Sequence, residues 1–419
     1  MKVSFVIVSS FLWSLNCIVE SKTHPGDIAV LVDFKNGFDP ISIPPGSCLS
    51  SWDFAVDPCD YIFSDRFTCG IRCDVIVYGS SRVTEISLDQ AGYNGSLSHS
   101  SAWNLPYLDV LDVSFNSLSG DIPVSVSNLT RLRRFSLSRN SFTGSIPGSI
   151  GSLLYLQELF LDNNRLTGSI PPSFNGLVRL KRLELQNNNL SGELPNLSRL
   201  GNLYFVDLSD NSISGKFAAV FPRSVIELSI RNNYLTGRIA GNTVSELRYL
   251  QVLDLSHNEL SGRAPAALFR HRSLQQLTLS HNNFSLLQIP EDRGVLSKLI
   301  AIDLSYNKLR GSLPEFMASL PMLSALSLEH NKFTGTIPTQ YATKAVIPKA
   351  GTASFERLLL GGNYLFGPVP GPLLRLKPGS SNVSLVDNCL YRCPEEVYVC
   401  QGGIQKSPVD CNKFRPMIP

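Results

Sequence analysis

One asparagine recurs through this chain at a nearly constant interval, and that interval limits the fold more than any other feature of the sequence. A degenerate first unit has Ala91 in the asparagine column, and the last unit has Asn363 there. The ten copies between them follow one another at 22 to 25 residues, at Asn116, Asn140, Asn164, Asn188, Asn211, Asn233, Asn258, Asn282, Asn307 and Asn331. Twelve units of this kind predict a solenoid, in which each unit packs on its neighbours and all units share one core.

Each position of the unit has a physical reason. The text reads L-x-x-L-x-L-x-x-N-x-L-x-G-x-I-P, as in residues 108–123. Alternating apolar residues such as Leu159 and Leu161 predict a short strand with one buried face. We expect the asparagine amide to satisfy backbone groups of the turn and of the next coil, which would otherwise be buried without partners. The glycine, as at Gly120, permits a backbone conformation that a side chain would forbid, and the closing proline, as at Pro123, stops ladder pairing and stiffens the convex side.

The predicted fold class is therefore an α/β repeat solenoid, a curved right-handed superhelix with a parallel β-sheet on the concave face and disulfide-stapled caps. Twelve parallel strands about 4.8 Å apart give a sheet on the order of 55 Å long. We divide the chain into a signal peptide (1–21), an N-terminal cap (22–82), about twelve repeats (83–373) and a cysteine-containing C-terminal cap (374–419). The stretch from Asp27 to Lys35 is amphipathic, with Ile28, Leu31 and either Val32 or Phe34 on one side.

The N-terminus has the pattern of a signal peptide. Lys2 supplies a positive charge, the next seventeen residues are almost entirely apolar, and Val19 and Ser21 are small enough for the −3 and −1 positions of a cleavage site. A membrane anchor is the competing interpretation, but the run is short for a spanning helix and lacks a basic flank on its far side. No later run approaches about 18 apolar residues, and the polar residues 412–419 predict neither a membrane-spanning tail nor a GPI anchor.

Eight cysteines remain after the signal peptide, in two terminal groups. They are Cys48, Cys59, Cys69 and Cys73 before the repeats, and Cys389, Cys393, Cys400 and Cys411 after them. An even number in two clusters predicts disulfides formed in an oxidising compartment. The x3 spacing of Cys69 with Cys73 and of Cys389 with Cys393 also fits zinc ligands, but a secreted chain favours disulfides and no metal. The pairing within each cluster stays open.

Six N-x-S/T sequons support secretion and outline the surface that is free for a ligand. They are predicted to be glycosylated in part and lie at Asn94, Asn128, Asn189, Asn196, Asn283 and Asn382. The formal net charge is only +3 over 419 residues, so charge gives no reason to expect nucleic acid or an anionic membrane as a partner.

The repeat and the first cap together resemble a known family. The L-x-G-x-I-P form resembles the plant-specific class of extracellular leucine-rich repeat. The text from Asp27 to Lys35, then Leu49 to Trp52 and Asp57-Pro58-Cys59, resembles the N-terminal domain of plant receptor-like kinases and receptor-like proteins, and is similar to that of polygalacturonase-inhibiting proteins. The resemblance implies recognition of a peptide, glycan or protein in the apoplast, in defence or development. The segment between Cys59 and Cys69 is longer than in the family pattern.

Variable residues around the strands point to the concave face, and repeats three to five stand out there. Between the two strand leucines most repeats have small or acidic residues, whereas repeat four has Phe160. The predicted ligand-binding residues of these repeats are Arg134, Arg139, Glu158, Phe160, Asp162, Arg182, Glu184 and Gln186. An exposed aromatic ring among arginines and carboxylates is typical of an interface hot spot. An ordinary solvated face with self-paired charges is the alternative.

Two further features are ambiguous. His257, His281 and His330 all precede the repeat asparagine, and Tyr306 fills the same position between them, so a pH-sensitive patch and a merely tolerant polar position are both compatible with the pattern. A metal site is disfavoured because no third ligand converges there. The last interval is 32 residues, and the extra residues within 339–354, with Lys344 and Lys349, predict an inserted surface loop, functional or neutral.

The sequence contains no catalytic motif. G-x-S-x-G, H-E-x-x-H, P-loop and G-x-G-x-x-G texts are missing, and a glycosidase-like pair of Asp162 and Glu184 would lie on an open face without a pocket. We therefore expect no enzyme and no cofactor, but a secreted apoplast or cell-wall protein, with association with the outer face of the plasma membrane as a variant. Its expected partner is an extracellular peptide, glycan or protein, with a receptor kinase ectodomain as one candidate. The alternative is an inhibitor of a cell-wall-degrading enzyme such as polygalacturonase.

Overall fold

A computed structural model gives the fold of residues 22–60, 69–97, 103–218, 220–292, 294–347, 350–377 and 379–413. The predicted signal peptide, Lys349 and residues 414–419 lie outside these described residues. No helix in the described ranges is both long enough and apolar enough to span a membrane.

The concave face is one sheet of fourteen short strands. In spatial order they are Ile71–Arg72, Glu85–Ser87, Val110–Asp112, Arg134–Ser136, Glu158–Phe160, Arg182–Glu184, Phe205–Asp207, Glu227–Ser229, Val252–Asp254, Gln276–Thr278, Ala301–Asp303, Ala325–Ser327, Arg357–Leu359 and Asn382–Ser384. The first strand belongs to the N-terminal cap and pairs antiparallel, whereas the pairs between successive repeats, such as Glu158–Phe160 with Arg182–Glu184, are parallel. The middle residue of each repeat strand, such as Leu159, is buried, because alternate side chains of a strand point to opposite faces. The predicted solenoid and its parallel concave sheet are confirmed.

A second layer of short strands follows the repeat asparagines, which the sequence analysis did not foresee. The L-x-G segment of each unit pairs with the same segment of its neighbours before the proline ends the pairing. These strands form sheets of three, six and four: Asn94–Gly95, Ser117–Asp121 and Ser141–Thr143; Thr167–Gly168, Asn189–Glu193, Ser212–Lys216, Tyr234–Gly237, Glu259–Ala264 and Asn283–Leu287; Arg310–Ser312, Lys332–Gly335, Tyr364–Pro368 and Cys389–Tyr391.

Short helical segments complete the convex side and the caps. The α-helices are Pro25–Asn36, Cys48–Ser51, Gly241–Glu246, Ala266–Phe269, Glu315–Ser319, Thr339–Val346 and Pro408–Asn412. The 3-10 segments are Pro40–Ser42, Val124–Asn128, Gly148–Ser152, Pro172–Gly176, Leu373–Arg375 and Tyr398–Cys400. A hairpin of Val75–Val77 and Ser80–Arg82 lies in the N-terminal cap.

The asparagine column forms a ladder of buried hydrogen bonds. The Asn164 amide nitrogen donates to the carbonyls of Leu137, Leu161 and Asp162 at 2.9, 3.2 and 3.1 Å. Its Oδ1 accepts the backbone N–H of Phe142 at 2.9 Å. The contacts beyond its own turn therefore reach the preceding coil, not the next one as the sequence analysis expected. These hydrogen bonds satisfy backbone groups of the preceding coil that would otherwise be buried without partners.

The repeat pattern continues one unit further than the twelve predicted. The strand Asn382–Ser384 is followed by Asn388, which donates to the Leu360 carbonyl at 3.0 Å and accepts the Leu365 N–H at 3.1 Å. Asn388 is fully buried. The C-terminal cap is thus a thirteenth coil closed by disulfides, and not a separate fold.

The caps confirm the predicted disulfides and give their pairing. Cys48 is bonded to Cys69, Cys59 to Cys73, Cys389 to Cys411, and Cys393 to Cys400. In the first helix the buried residues are Asp27, Val30, Leu31 and Phe34, whereas Ile28 and Val32 are half-buried, so the apolar face is rotated from the predicted one. The Phe34 ring packs 5.8 Å from Trp52 and 5.6 Å from Trp103 between ring centroids, which joins the cap to the repeat core.

The extra residues of repeat twelve begin as a helix, not as the expected open loop. Within Thr339–Val346, Tyr341 is fully buried and donates its hydroxyl to the Pro314 carbonyl at 3.0 Å. Lys344 is also buried, and its ammonium donates to the Leu320 carbonyl at 2.8 Å. The helix packs because these two side chains reach carbonyls of the preceding coil, so Lys344 is part of the core and not a surface contact.

Candidate functional site

The strands of repeats three to six place two rows of side chains on the concave face. Arg134, Glu158, Arg182 and Phe205 are partners in register and form the first row. Ser136, Phe160, Glu184 and Asp207 form the second row. The buried middle residues lie between the rows and point the other way, as strand alternation requires. Both rows therefore face the same surface.

Ion pairs hold the charges of this surface in fixed positions. Arg134 bridges two carboxylates, with Nη1 2.8 Å from Glu158 Oε2 and Nη2 3.3 Å from Asp112 Oδ2. Arg182 Nε lies 2.5 Å from Glu184 Oε1. The Gln186 amide donates to the other oxygen of Glu184 at 3.1 Å. The charges are paired with one another, yet the pairs stay partly exposed to solvent.

Two phenylalanine rings lie among these guanidinium groups. The Arg134 guanidinium carbon is 4.6 Å from the centroid of Phe160, and that of Arg182 is 6.0 Å from it. Arg182 also lies 3.9 Å from the centroid of Phe205. Stacking of guanidinium on aromatic rings adds to the ion pairs in fixing the arginines. We call Arg134, Glu158, Phe160, Arg182, Glu184 and Phe205 the Arg–Phe cluster.

Phe205 was missed by sequence reasoning. It occupies the column of Arg134, Glu158 and Arg182, one position before the buried middle residue of its strand. A comparison of that column along the repeats would have found it. Phe160 lies in the other column, one position after the middle residue of its strand.

Three predicted site residues lie at the margin of the cluster. Asp162 is buried and accepts hydrogen bonds from the Ser138 hydroxyl and, at 2.6 Å, from the Asn163 amide. Arg139 lies in the turn before Asn140, with its guanidinium carbon 5.1 Å from the Phe115 ring centroid. Gln186 Oε1 is buried and has no hydrogen-bond partner among the described residues. Asp162 thus supports the strand ends, and Arg139 marks the edge of the concave face.

Burial perturbs two ionisable groups beside the rings. Burial raises the pKa of Asp207, and the negative charges of Glu184 and Asp210 add to this rise, whereas hydrogen bonds from Ser209 oppose it. Burial is the largest influence on the pKa of Arg182 and acts to lower it, but the hydrogen bond to Glu184 and the negative charges of Glu184 and Glu158 together outweigh it, so the net shift is upward. The Arg182 guanidinium therefore stays charged, and the cluster offers fixed positive groups beside flat apolar rings.

The sequons leave this surface free. Asn94, Asn189 and Asn283 lie on second-layer strands, and Asn128 ends a 3-10 segment. Asn196 lies in the exposed coil after the strand of Asn189. Asn382, by contrast, begins the last concave strand and is exposed. Glycans at these positions would cover the flanks and the C-terminal end of the concave face, but not the concave face of repeats three to five.

The three repeat histidines and Tyr306 lie side by side on neighbouring repeats. Their rings are stacked, with centroid distances of 4.1 Å for His257 and His281, 4.2 Å for His281 and Tyr306, and 4.2 Å for Tyr306 and His330. We call these four residues the ring row. It follows the edge of the concave face in repeats eight to eleven, apart from the Arg–Phe cluster.

Two family models match the chain. The leucine-rich repeat region matches residues 92–358, and the leucine-rich repeat N-terminal domain matches residues 24–74. Among curated proteins, Receptor-like protein 7 of Arabidopsis thaliana is 30% identical over 177 residues, which are 42% of this chain and 16% of that protein. Receptor-like protein 31 of the same plant is 34% identical over 133 residues, 30% of this chain and 14% of that protein. The matches span less than a fifth of the length of these relatives.

Solved structures of plant receptors have the same fold. The ectodomain of the receptor kinase GASSHO1/SCHENGEN3 from Arabidopsis thaliana, solved in complex with CASPARIAN STRIP INTEGRITY FACTOR 2, gives a TM-score of 0.70 at 29% identity, over 87% of this chain and 44% of that one. The plant peptide hormone receptor RGFR1, in complex with RGF2, gives a TM-score of 0.65 at 29% identity, over 78% and 51% of the two chains. Together with the likeness to these ectodomains and to the curated receptor-like proteins, the family models show that the chain belongs to the leucine-rich repeat family.

Proposed function

We propose that this protein is a non-catalytic, extracellular recognition protein that binds a peptide or protein through the Arg–Phe cluster, as part of receptor-type signalling in defence or development. The observation that carries the proposal is the pair of rings, Phe160 and Phe205, held at a partly exposed surface between Arg134 and Arg182. Aromatic and arginine side chains are the residue types that most often dominate interface energies.

The internal ion pairs favour binding by this surface. A free arginine side chain loses rotational freedom when a partner immobilises it, which costs about 0.5–1.5 kcal/mol for each such side chain. Arg134 and Arg182 are already oriented by Glu158 and Glu184 before any partner arrives. The outward groups that remain are the exposed parts of the two rings and the unused donor and acceptor positions of the ion pairs. Such a surface suits an extended peptide with an aromatic or aliphatic residue flanked by polar groups.

Relatives support a peptide as the ligand class. RGFR1 is described as a peptide hormone receptor, and the GASSHO1/SCHENGEN3 ectodomain was solved with a bound integrity factor. We infer from this likeness that the present chain also binds a peptide or protein partner, with a receptor kinase ectodomain as a candidate member of the complex. The four disulfides suit an oxidising location such as the apoplast or the cell wall.

The test is affinity capture of partners from apoplastic fluid by the glycosylated protein, followed by mass spectrometry. The wild type is compared with Phe160→Ala and Arg182→Glu, which are expected to lose the captured partner without a change in melting temperature. Arg179→Glu is a matched control, because Arg179 is three residues away and stacks on Tyr155 outside the two concave rows. Equal capture by wild type and Arg182→Glu would overturn the proposed surface.

An inhibition assay tests the signalling role separately. The purified protein is titrated into a polygalacturonase reaction, where we expect no dose-dependent loss of activity. Dose-dependent inhibition would contradict receptor-type recognition as the main role. Co-purification with a receptor kinase ectodomain would support it.

A further inference from the structure

The ring row holds three of the six histidines of the chain in one continuous stack. The planes of neighbouring rings differ by only 10 to 21°. All four rings are exposed to solvent although their faces are covered by one another. The surface that a partner meets is therefore a line of ring edges, with imidazole nitrogens and one phenol hydroxyl, along four repeats.

Backbone geometry fixes the row. His257, His281, Tyr306 and His330 all have positive φ values between 49 and 53°. Gly362 occupies the same turn position in repeat twelve, and a Cβ added there would lie 2.5 Å from Nδ1 of His330. The absence of a side chain at Gly362 thus leaves room for the last imidazole.

Several charged groups surround the row. Burial lowers the pKa of His281, and the positive charges of protonated His257 and His330 lower it further, whereas Asp303 raises it. Burial raises the pKa of Glu329, against the influence of His330 and Arg357. In the same turns the chain also has Asp254, Glu259, Lys308 and Lys332 within three residues of a ring.

The nearby carboxylates do not supply a complete set of counter-ions for a charged row. Asp303 accepts hydrogen bonds from the backbone N–H and the hydroxyl of Ser305, at 3.0 and 2.7 Å. Glu329 takes up a proton at a higher pH than an ordinary glutamate does, so acidification removes part of its negative charge. Acidification therefore makes the edge of the concave face more positive in two ways, because the imidazoles gain positive charge and Glu329 loses negative charge.

We propose that the ring row is an acid-activated docking edge for an acidic peptide segment. While its imidazoles are neutral, the row has little attraction for carboxylates. Once imidazoles of the row take up protons in acid, like charges lie about one ring spacing apart. Carboxylates of a bound segment relieve this repulsion, so binding and protonation strengthen each other. The edge lies in other repeats than the Arg–Phe cluster and does not depend on it.

A defined probe tests the proposal without knowledge of the natural partner. Fluorescence anisotropy measures the affinity of the full-length protein for a labelled hexa-aspartate peptide at pH 7.5 and pH 5.5. We expect the wild type to bind about ten-fold more tightly at pH 5.5, as three solvent-exposed charge pairs of ordinary strength would give. The triple variant His257→Asn, His281→Asn, His330→Asn is expected to lose this gain.

The variants are chosen so that folding and charge effects are separated. Asparagine already occupies this turn position, with positive φ, at Asn163, Asn187 and Asn232. His24→Asn removes an exposed histidine of the N-terminal cap and is expected to keep the tighter binding at pH 5.5. If the triple variant misfolds, the single variant His281→Asn provides the test, and its increase in peptide affinity from pH 7.5 to pH 5.5 should be smaller than that of the wild type. Equal affinity at both pH values, or a full gain in a folded triple variant, would overturn the docking edge and leave the proposed receptor role untouched.

Discussion

Asp27 and Arg82 form a buried ion pair with two hydrogen bonds that ties the first helix to the hairpin before repeat one. Arg82 Nη2 lies 2.7 Å from Asp27 Oδ1, and Nε lies 2.9 Å from Oδ2. Oδ2 also accepts the backbone N–H of Val83 at 3.0 Å. The Asp27 side chain is 1% exposed and that of Arg82 is 10% exposed. The cap is thus joined to the repeats by a charge pair as well as by apolar packing.

Removing one member of this pair should strongly destabilise the protein. Asp27→Ala leaves the Arg82 guanidinium buried without its carboxylate, and we expect a loss of about 3–5 kcal/mol in the free energy of unfolding. Urea unfolding followed by circular dichroism measures the change. Asp410→Ala breaks an exposed ion pair with Lys413 and should leave the unfolding midpoint unchanged. A similar small effect for both variants would contradict a structural role for Asp27.

Adjacent asparagines allow a matched test of the ladder. Asn188 donates to the carbonyls of Leu161 and Leu185 at 2.9 and 3.1 Å, so Asn188→Asp replaces a buried donor by an acceptor facing acceptors. We expect a loss of about 2–4 kcal/mol. Asn187→Asp makes the same chemical change at an exposed neighbour and should cost less than about 1 kcal/mol. Thermal unfolding of the two variants side by side checks the difference, and equal melting temperatures would count against the ladder.

Acid should weaken the fold through His271. Its Nδ1 accepts the N–H of Leu274 at 3.1 Å, and its Nε2 lies 3.1 Å from the Leu247 carbonyl, so the neutral ring satisfies both sides. Burial lowers the pKa of His271 despite the bond to Leu247. The unfolded chain therefore takes up a proton at higher pH than the folded protein does. The stability that neutral His271 contributes is therefore complete above the ordinary histidine pKa near 6.5 and is lost progressively as pH falls below it.

His271→Asn provides the comparison for this pH effect. Asparagine can accept the same backbone N–H groups but does not titrate. The melting temperature of the wild type should fall more between pH 7.5 and pH 5.5 than that of the variant. The variant retains part of the fall because the pKa of His281 is shifted in the same direction. Parallel curves for the two proteins would exclude His271 as a source of the acid sensitivity.

Alkali should act in the opposite sense through Lys344. Burial lowers the pKa of this ammonium from 10.5 to about 8. Between these two values the unfolded chain binds a proton that the folded protein does not, so the free energy of unfolding rises with pH across this window. The contribution of Lys344 is complete above the ordinary pKa and is lost as pH falls to about 8. Urea unfolding at pH 7.5 and pH 9.5 should show the rise in the wild type but not in Lys344→Met. A rise of equal size in both would assign it to another group.

The sequence predicted the parts of the fold that depend on periodicity. Alternating leucines around residues such as Leu159 dictate the concave strands, and the asparagine column dictates the turns. Asn388 was missed although it lies 25 residues after Asn363, because the surrounding cysteines were assigned to a separate cap. The disulfide pairing was open because spacing alone does not determine which sulfurs approach one another.

Which side chains share the concave face was predictable, and the contacts among them were less so. Sequence columns indicate which residues share a face, and Phe160 stood out within its column. They do not indicate which side chains reach each other. Phe205 belongs to the cluster because the Arg182 side chain is long enough to stack on its ring. Asp162 is buried, and the Ser138 hydroxyl donates a hydrogen bond to it. Lys344 was expected at the surface because an insertion usually loops outward, but Leu320 offered its ammonium a carbonyl.

The direction of the two sheet layers has a mechanical consequence. Every pairing between repeats, such as Leu159 with Leu183, runs along the length of the solenoid and joins consecutive coils. A pull on the two ends therefore loads these bonds in series, one coil after another, and does not shear many at once. Coils should yield singly and re-form singly, as in an extensible spring, while the bridges of Cys48 to Cys69 and Cys389 to Cys411 keep each end clamped.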